Sequence, residues 1–306
     1  MRLGPPAFRL RDGCSDALGR ASLLPMADSR GSTRVHVVTG GFPVGSSAGH
    51  DIDFVRLALL SLLGEKRDVN STVSNNFDDL ETWLPGTDCL VTYVAGPFLT
   101  EAQSEVVLDW LEAGGRWLAL HGTSGGKALP LPDGRPGRMM SRARHHEVLG
   151  AFFLNHPPIR RFQVDVSDVD HPITRDLPAS FDVMDELYLI ELSDSAQARV
   201  LLTTSDLDAE DPAPREFGFT YEEDTSVGDD GRTRVLAYER PTGRGAVAYI
   251  ALGHCHTPST NIQPFVDSSV DVNGVTPLEF RGPWETEPFR CLLSNAVNWG
   301  LAGKAS

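Results

Sequence analysis

The chain has 306 residues, 27 of them basic and 42 acidic, for a formal net charge of −15. That surplus repels phosphate backbones and anionic headgroups, so nucleic acid and membrane surfaces are poor partners and a neutral or cationic small molecule fits better. No apolar run approaches the roughly 20 residues that a membrane-spanning helix needs.

Residues 1–33 scatter Arg, Pro, Gly and Ser without the apolar stretch of a secretory signal, and read as a disordered leader or an over-long start. Cys14, Cys89, Cys255 and Cys291 lie far apart with no C-x-x-C pair, the pattern of reduced thiols in the cytoplasm. One domain is expected over 34–303, with an exposed acidic insertion around 206–232. A homo-oligomer is left open.

The first strand is expected at 35–39 (VHVVT), stopping at Gly40-Gly41. A largely buried helix follows over 53–63, opened by an Asp cap, then a short strand at 69–73. Residues 88–94 (DCLVTYV) read as a strand buried on both faces. Thr100 caps the next helix and Gln103 completes a capping box, Val106, Val107, Trp110 and Leu111 form its stripe, and Gly114-Gly115 ends it. Residues 117–120 form another buried strand that ends at His121. This alternation predicts an α/β fold with right-handed parallel crossovers and a doubly wound sheet. Beyond a Gly/Pro-rich stretch at 122–138, a helix is expected at 145–153. Strands follow at 161–166, 182–190, 200–204, 234–239 and 246–251, and a closing helix at 288–301.

Open parallel sheets bind ligands beyond the carboxyl ends of their strands. His121 stands there, suited to acid–base work or metal ligation, or simply bonded to neighbouring loops. His254 and His256 in Gly253-His254-Cys255-His256 follow another strand. Their spacing is not a familiar zinc pattern, and the plain reading turns one ring inward and leaves the other solvated. Asp185-Glu186 interrupts an apolar strand, where charge is costly unless paired or used. Strand alternation lets at most one enter a given pocket unless the strand bulges. Asp170-His171-Pro172 reads as a turn and His156-Pro157 as a helix stop. Gly122-Thr123-Ser124-Gly125-Gly126 matches the nucleophile elbow of hydrolases, but Pro130, Pro132 and Gly134 deny it the helix that the motif requires. Gly40-Gly41-Phe42-Pro43 could cradle an anion, yet lacks the dinucleotide-binding spacing and the Walker lysine, so no nucleotide cofactor is expected.

In this order the landmarks resemble the ThuA-like (trehalose-utilisation) family. They are Val37-Val38-Thr39-Gly40-Gly41, Gly49-His50-Asp51, Leu99-Thr100-Glu101-Ala102-Gln103, Leu118-Ala119-Leu120-His121-Gly122, the stretch 146–156 (HEVLGAFFLNH), Asp170-His171-Pro172, Asp185-Glu186-Leu187-Tyr188, Gly243-Arg244-Gly245, Leu252-Gly253-His254 and Asn298-Trp299. The resemblance implies a flavodoxin-like, mostly parallel sheet with helices on both faces and added antiparallel strands, similar to class I glutamine amidotransferases. It also implies a carbohydrate substrate, a disaccharide or a 3-keto-glycoside. Carried over by position, His121, His254, Asp185 and Glu186 are the catalytic candidates. His50, His156, His171, Tyr93 and Gly41 are the substrate-binding ones, and His121, His254 and His256 would hold a divalent metal if one is used.

No cysteine follows Leu120, so glutamine hydrolysis by a cysteine nucleophile is not expected. The functional expectation is a lyase, hydrolase or isomerase acting on a sugar derivative. His121 or His254 would serve as base, with Asp185 or Glu186 as orienting partner or acid. The alternatives are a non-catalytic sugar-binding or regulatory protein of the same fold, and a serine hydrolase through Ser124.

Overall fold

The computed structural model describes residues 32–41, 49–193, 197–207 and 218–303. The expected leader falls almost wholly outside them, as do 42–48, 194–196 and residues 208–217 of the acidic insertion. The β-branched and apolar runs form β1 (Thr33–Gly40), β2 (Val69–Ser74), β3 (Cys89–Val94), β4 (Arg116–Leu120), β5 (Ala128–Pro130), β6 (Arg138–Met140) and β7 (Ala151–Asn155). They continue as β8 (Arg160–Val166), β9 (Ser180–Asp185), β10 (Leu189–Leu192), β11 (Arg199–Thr204), β12 (Arg234–Thr242) and β13 (Gly245–Ile250). The helices are α1 (Ile52–Gly64), α2 (Leu80–Trp83), α3 (Glu101–Glu112), α4 (Arg144–Leu149) and α5 (Glu287–Leu301).

Nine strands share one sheet in the order β2-β1-β3-β4-β13-β12-β11-β8-β9. The first five are parallel and the last four antiparallel. The parallel half has the flavodoxin-type strand order, as expected. Its middle strands are buried and mostly apolar because helices cover both faces. Val55 and Leu59 of α1 and Phe289, Leu292 and Ala296 of α5 join one core, and Leu80 of α2 with Val107 and Leu111 of α3 the other. Register then fixes the rim. Gly40 pairs with Val94, Tyr93 with Leu120, and Leu120 with Ile250, so β1, β3, β4 and β13 finish level. The antiparallel alternation turns β9 in the same sense as β13, which brings its carboxyl end to that same rim.

The expected capping box is present: Thr100 Oγ1 accepts from the Gln103 N–H at 3.3 Å and the Gln103 side chain accepts from the Thr100 N–H at 2.9 Å. Other expectations are corrected. The cap of α1 is Asp51, which accepts from Phe54 N–H at 3.2 Å, and Asp53 lies inside the first turn. The helix expected over 145–153 ends at Leu149, because Gly150 takes a left-handed φ of 92° and releases the chain into β7. The strand expected over 182–190 breaks after Asp185 and resumes as β10, which pairs with β7 in a separate ribbon. The Gly/Pro-rich stretch contains the short β5–β6 hairpin. No described helix is long and apolar enough to cross a membrane.

Candidate functional site

At the end of β4, His121 enters the left-handed region with a φ of 40° and opens a 3-10 turn over His121–Ser124. A non-glycine residue there is strained by about 1–2 kcal/mol, so its surroundings must hold it. The His121 Nδ1–H donates to the Ala251 carbonyl at 2.6 Å, and its own carbonyl accepts from the Tyr249 hydroxyl at 2.9 Å. Ser124 spends its hydroxyl on Tyr249 at 2.7 Å and on no imidazole, which leaves it without the base a nucleophile needs.

Gly253, with φ 130°, turns the chain leaving β13 so that His254 faces the same point. Asp185 pins this turn. Its carboxylate accepts from the Gly253 N–H at 2.7 Å, the His254 N–H at 2.9 Å and the Glu186 N–H at 2.9 Å. Burial pushes the Asp185 carboxyl up to about 7, against the pull of those N–H groups. Asp185 is therefore a backbone clamp, and Glu186 is the carboxylate that enters the centre. His50 arrives on the segment leading into α1, which is fixed by the Asp51 N–H donating to the Cys255 carbonyl at 2.8 Å.

One ligand atom from each of His50, His121, Glu186 and His254 lies within 4.8 Å of all the others, and all four residues are buried. His50 Nδ1 is 3.0 Å from His254 Nδ1, which is 3.2 Å from Glu186 Oε1. His121 Nε2 is 3.3 Å from Glu186 Oε2, and neither atom has a hydrogen-bond partner. With Nδ1–H committed to Ala251, Nε2 carries a lone pair whenever the His121 ring is neutral. Two buried acceptors thus face each other, an arrangement that calls for a proton or a cation between them.

Four ligands at about 2.0–2.2 Å in tetrahedral array are separated by roughly 3.3–3.6 Å. Three contacts here are 3.0, 3.2 and 3.3 Å, while the full set of four atoms spans up to 4.8 Å and would have to draw in around an ion. Three imidazoles and one carboxylate suit a first-row transition ion such as Zn²⁺ rather than the all-oxygen demands of Mg²⁺ or Ca²⁺. Burial, reinforced by the other imidazoles, lowers His50 well below its usual range and His254 to about 4, so both rings are neutral and ready to ligate. Burial alone would raise Glu186, but positive charge on the surrounding His156, His254 or His121 rings outweighs it and holds the carboxyl well below its usual range, so the carboxylate prefers a cation beside it.

Around this centre, Tyr188 stacks on His121 at 4.1 Å, and Tyr93 lies 5.8 Å away with its hydroxyl donating to the Gly253 carbonyl. His156 Nε2 is 3.5 Å from Glu186 Oε1, and its side chain is 12 % exposed against 0 % for His121 and His254. The expected His121, His254, Glu186, His50, His156 and Tyr93 therefore converge.

His171 does not join them. Its Nε2 lies 3.0 Å from Glu239, which also accepts from Trp299 of α5. Gly41 follows β1 directly, and the 42–48 segment leading away from it is outside the described residues. His256 corrects two expectations: it is fully buried rather than solvated, and it touches His254 rather than the four-atom centre. Gln263, which donates to Glu186, carried no sequence signal, because it sits in an irregular segment without periodicity. An open cavity of about 530 Å³ lies elsewhere, lined by Met139, Met140, Phe152, Leu154 and Tyr221 among others. Phe152 and Leu154 point away from the face on which Phe153 meets Tyr188 and His156, so β7 separates that cavity from the histidines.

The family model described as "Trehalose utilisation" (ThuA) matches residues 34–267. The chain belongs to the ThuA family. Among solved structures, a ThuA-like protein of Bacteroides uniformis aligns with a TM-score of 0.57 at 15% identity, covering 90% of this chain and 95% of its own. Another from Parabacteroides merdae gives 0.52 at 16% identity, covering 89% and 91%. At such identities the likeness shows that this ThuA member shares their fold. No curated protein matches the chain.

Proposed function

We propose that this ThuA protein is an enzyme acting on a disaccharide or 3-keto-glycoside at the His50–His121–His254–Glu186 centre, where a divalent cation is held. The facing pair of buried acceptors, His121 Nε2 and Glu186 Oε2, carries this reading. When bound, the cation would polarise a substrate carbonyl only by taking it as a further ligand beside these four, which would make the neighbouring C–H acidic.

His156 is the base this geometry favours. Its Nδ1–H donates to the Pro157 carbonyl at 2.8 Å, which leaves Nε2, 3.5 Å from Glu186 Oε1, as the ring nitrogen that faces the centre on the more exposed side. His156 would take the proton beside the ketone. The freed electron pair forms the new double bond and expels the glycosidic oxygen, which leaves with the proton returned by the imidazolium. Asp185 stays outside this chemistry and holds the Gly253–His254 turn in place.

The test measures metal content of the purified protein and turnover of 3-keto-disaccharides against their parent sugars, before and after chelation. About one transition ion per chain, with turnover lost on chelation and in Glu186→Gln, is the expected result. Full activity in the chelated protein or in Glu186→Gln would reject the centre. Thermal stabilisation by sugars without product would point to a binding protein instead.

A further inference from the structure

We infer that His256 is a positioning residue that sets the tautomer of His254 and so aims its Nδ1 lone pair at the centre. This rests on the reading of His254 as a member of the donor set. The chain of contacts ends on a group whose role is fixed: His256 Nε2 lies 2.9 Å from the Pro277 carbonyl, which can only accept. His256 therefore carries its proton on Nε2, and in the neutral ring Nδ1 becomes an acceptor. That Nδ1 lies 2.9 Å from His254 Nε2, so His254 donates from Nε2 and keeps Nδ1 bare. The bare nitrogen is the one facing His50 Nδ1 at 3.0 Å and Glu186 Oε1 at 3.2 Å.

The relay is rigidly mounted. The His256 backbone exchanges hydrogen bonds of 2.8 and 3.0 Å with Phe280, and its ring stacks on Phe280 at 5.5 Å. With His254 and His256 both 0 % exposed, no bulk water reaches the rings to replace a missing partner. Metal-bound histidines commonly fix their second nitrogen on a carbonyl or carboxylate. Here an additional imidazole is interposed, which explains two histidines at a spacing unlike the familiar zinc patterns.

The test compares the wild type with His256→Asn, which keeps an acceptor near Nδ1, and His256→Phe, which keeps the stacking on Phe280 but cuts the relay. Long-range ¹H–¹⁵N spectra of the metal-free, histidine-labelled protein read the tautomer directly, with His254 assigned by the signal lost in His254→Gln. His254 should be protonated on Nε2 in the wild type and in His256→Asn, and should move partly or wholly to Nδ1–H in His256→Phe. Zn²⁺ affinity, from competition with a chelating dye, should fall about 10- to 100-fold in His256→Phe and stay within about threefold in His256→Asn. A wild-type His254 protonated on Nδ1, or a tautomer indifferent to His256→Phe, would overturn the inference. Should the wild type bind no Zn²⁺, the cation reading fails while the spectra still decide the relay.

Discussion

Acidification of the metal-free protein should reveal the cost of burying His254. Burial lowers its imidazole from an ordinary 6.5 to about 4, with the attraction of Glu186 opposing the shift. Between those values the unfolded chain binds a proton that the folded chain refuses. This contribution is fully present above about pH 6.5 and is lost as the pH falls toward 4. At about 1.36 kcal/mol per unit, going from pH 7.5 to 4.5 should remove on the order of 2.5 kcal/mol through this one ring. His254→Gln cannot take up the proton, so its stability should fall less over the same interval by about that amount. Urea unfolding of both proteins at the two pH values, with chelator present, measures the double difference. Parallel losses in the two proteins would refute the claim that His254 is buried as a neutral ring.

Asp185→Ala should destabilise by roughly 3–5 kcal/mol, because three buried N–H groups lose their acceptor at once, and urea unfolding at pH 7 would show it. A loss below about 1 kcal/mol would mean that the clamp does not hold. Ser124→Ala gives up one hydroxyl contact to Tyr249, worth about 1 kcal/mol, and should keep turnover within a few-fold. Labelling of Ser124 by a fluorophosphonate would contradict that. In Gly122→Ala the new Cβ would lie 2.7 Å from the Val94 carbonyl oxygen, forcing the backbone beside His121 to move. A stability loss of about 1–3 kcal/mol and weaker Zn²⁺ binding are expected, to be read by thermal melts and dye competition.

The parallel half of the fold was legible because its strands are buried on both faces and its helices carry their own start and stop signals, as at Thr100 and Gly114. The helix-to-strand switch at Gly150 was not, because an apolar run such as Ala151–Asn155 suits a buried helix or a buried strand equally well. Among the clustered residues, His121 and His254 were singled out by their places beyond strand ends, and the structure puts both rings in the same cluster. The division of labour between Asp185 and Glu186 depends on where β9 breaks, which alternation along an uninterrupted strand does not reveal. Gln263 and the interior position of His256 depend on contacts across some 77 and 21 residues of chain, to Glu186 and Pro277, for which no local pattern exists.

Glu186 comes to the centre from the antiparallel edge of the sheet, while His121 and His254 come from the parallel half. A cation held by all of them would act as a second rivet between the two regions, beside the Asp185 clamp that already ties the end of β9 to the Gly253–His254 turn. Its release should leave the parallel half intact and let the β8–β9 edge open more often, speeding amide exchange there first. The protein would then report its metal load through the suppleness of one border of the sheet.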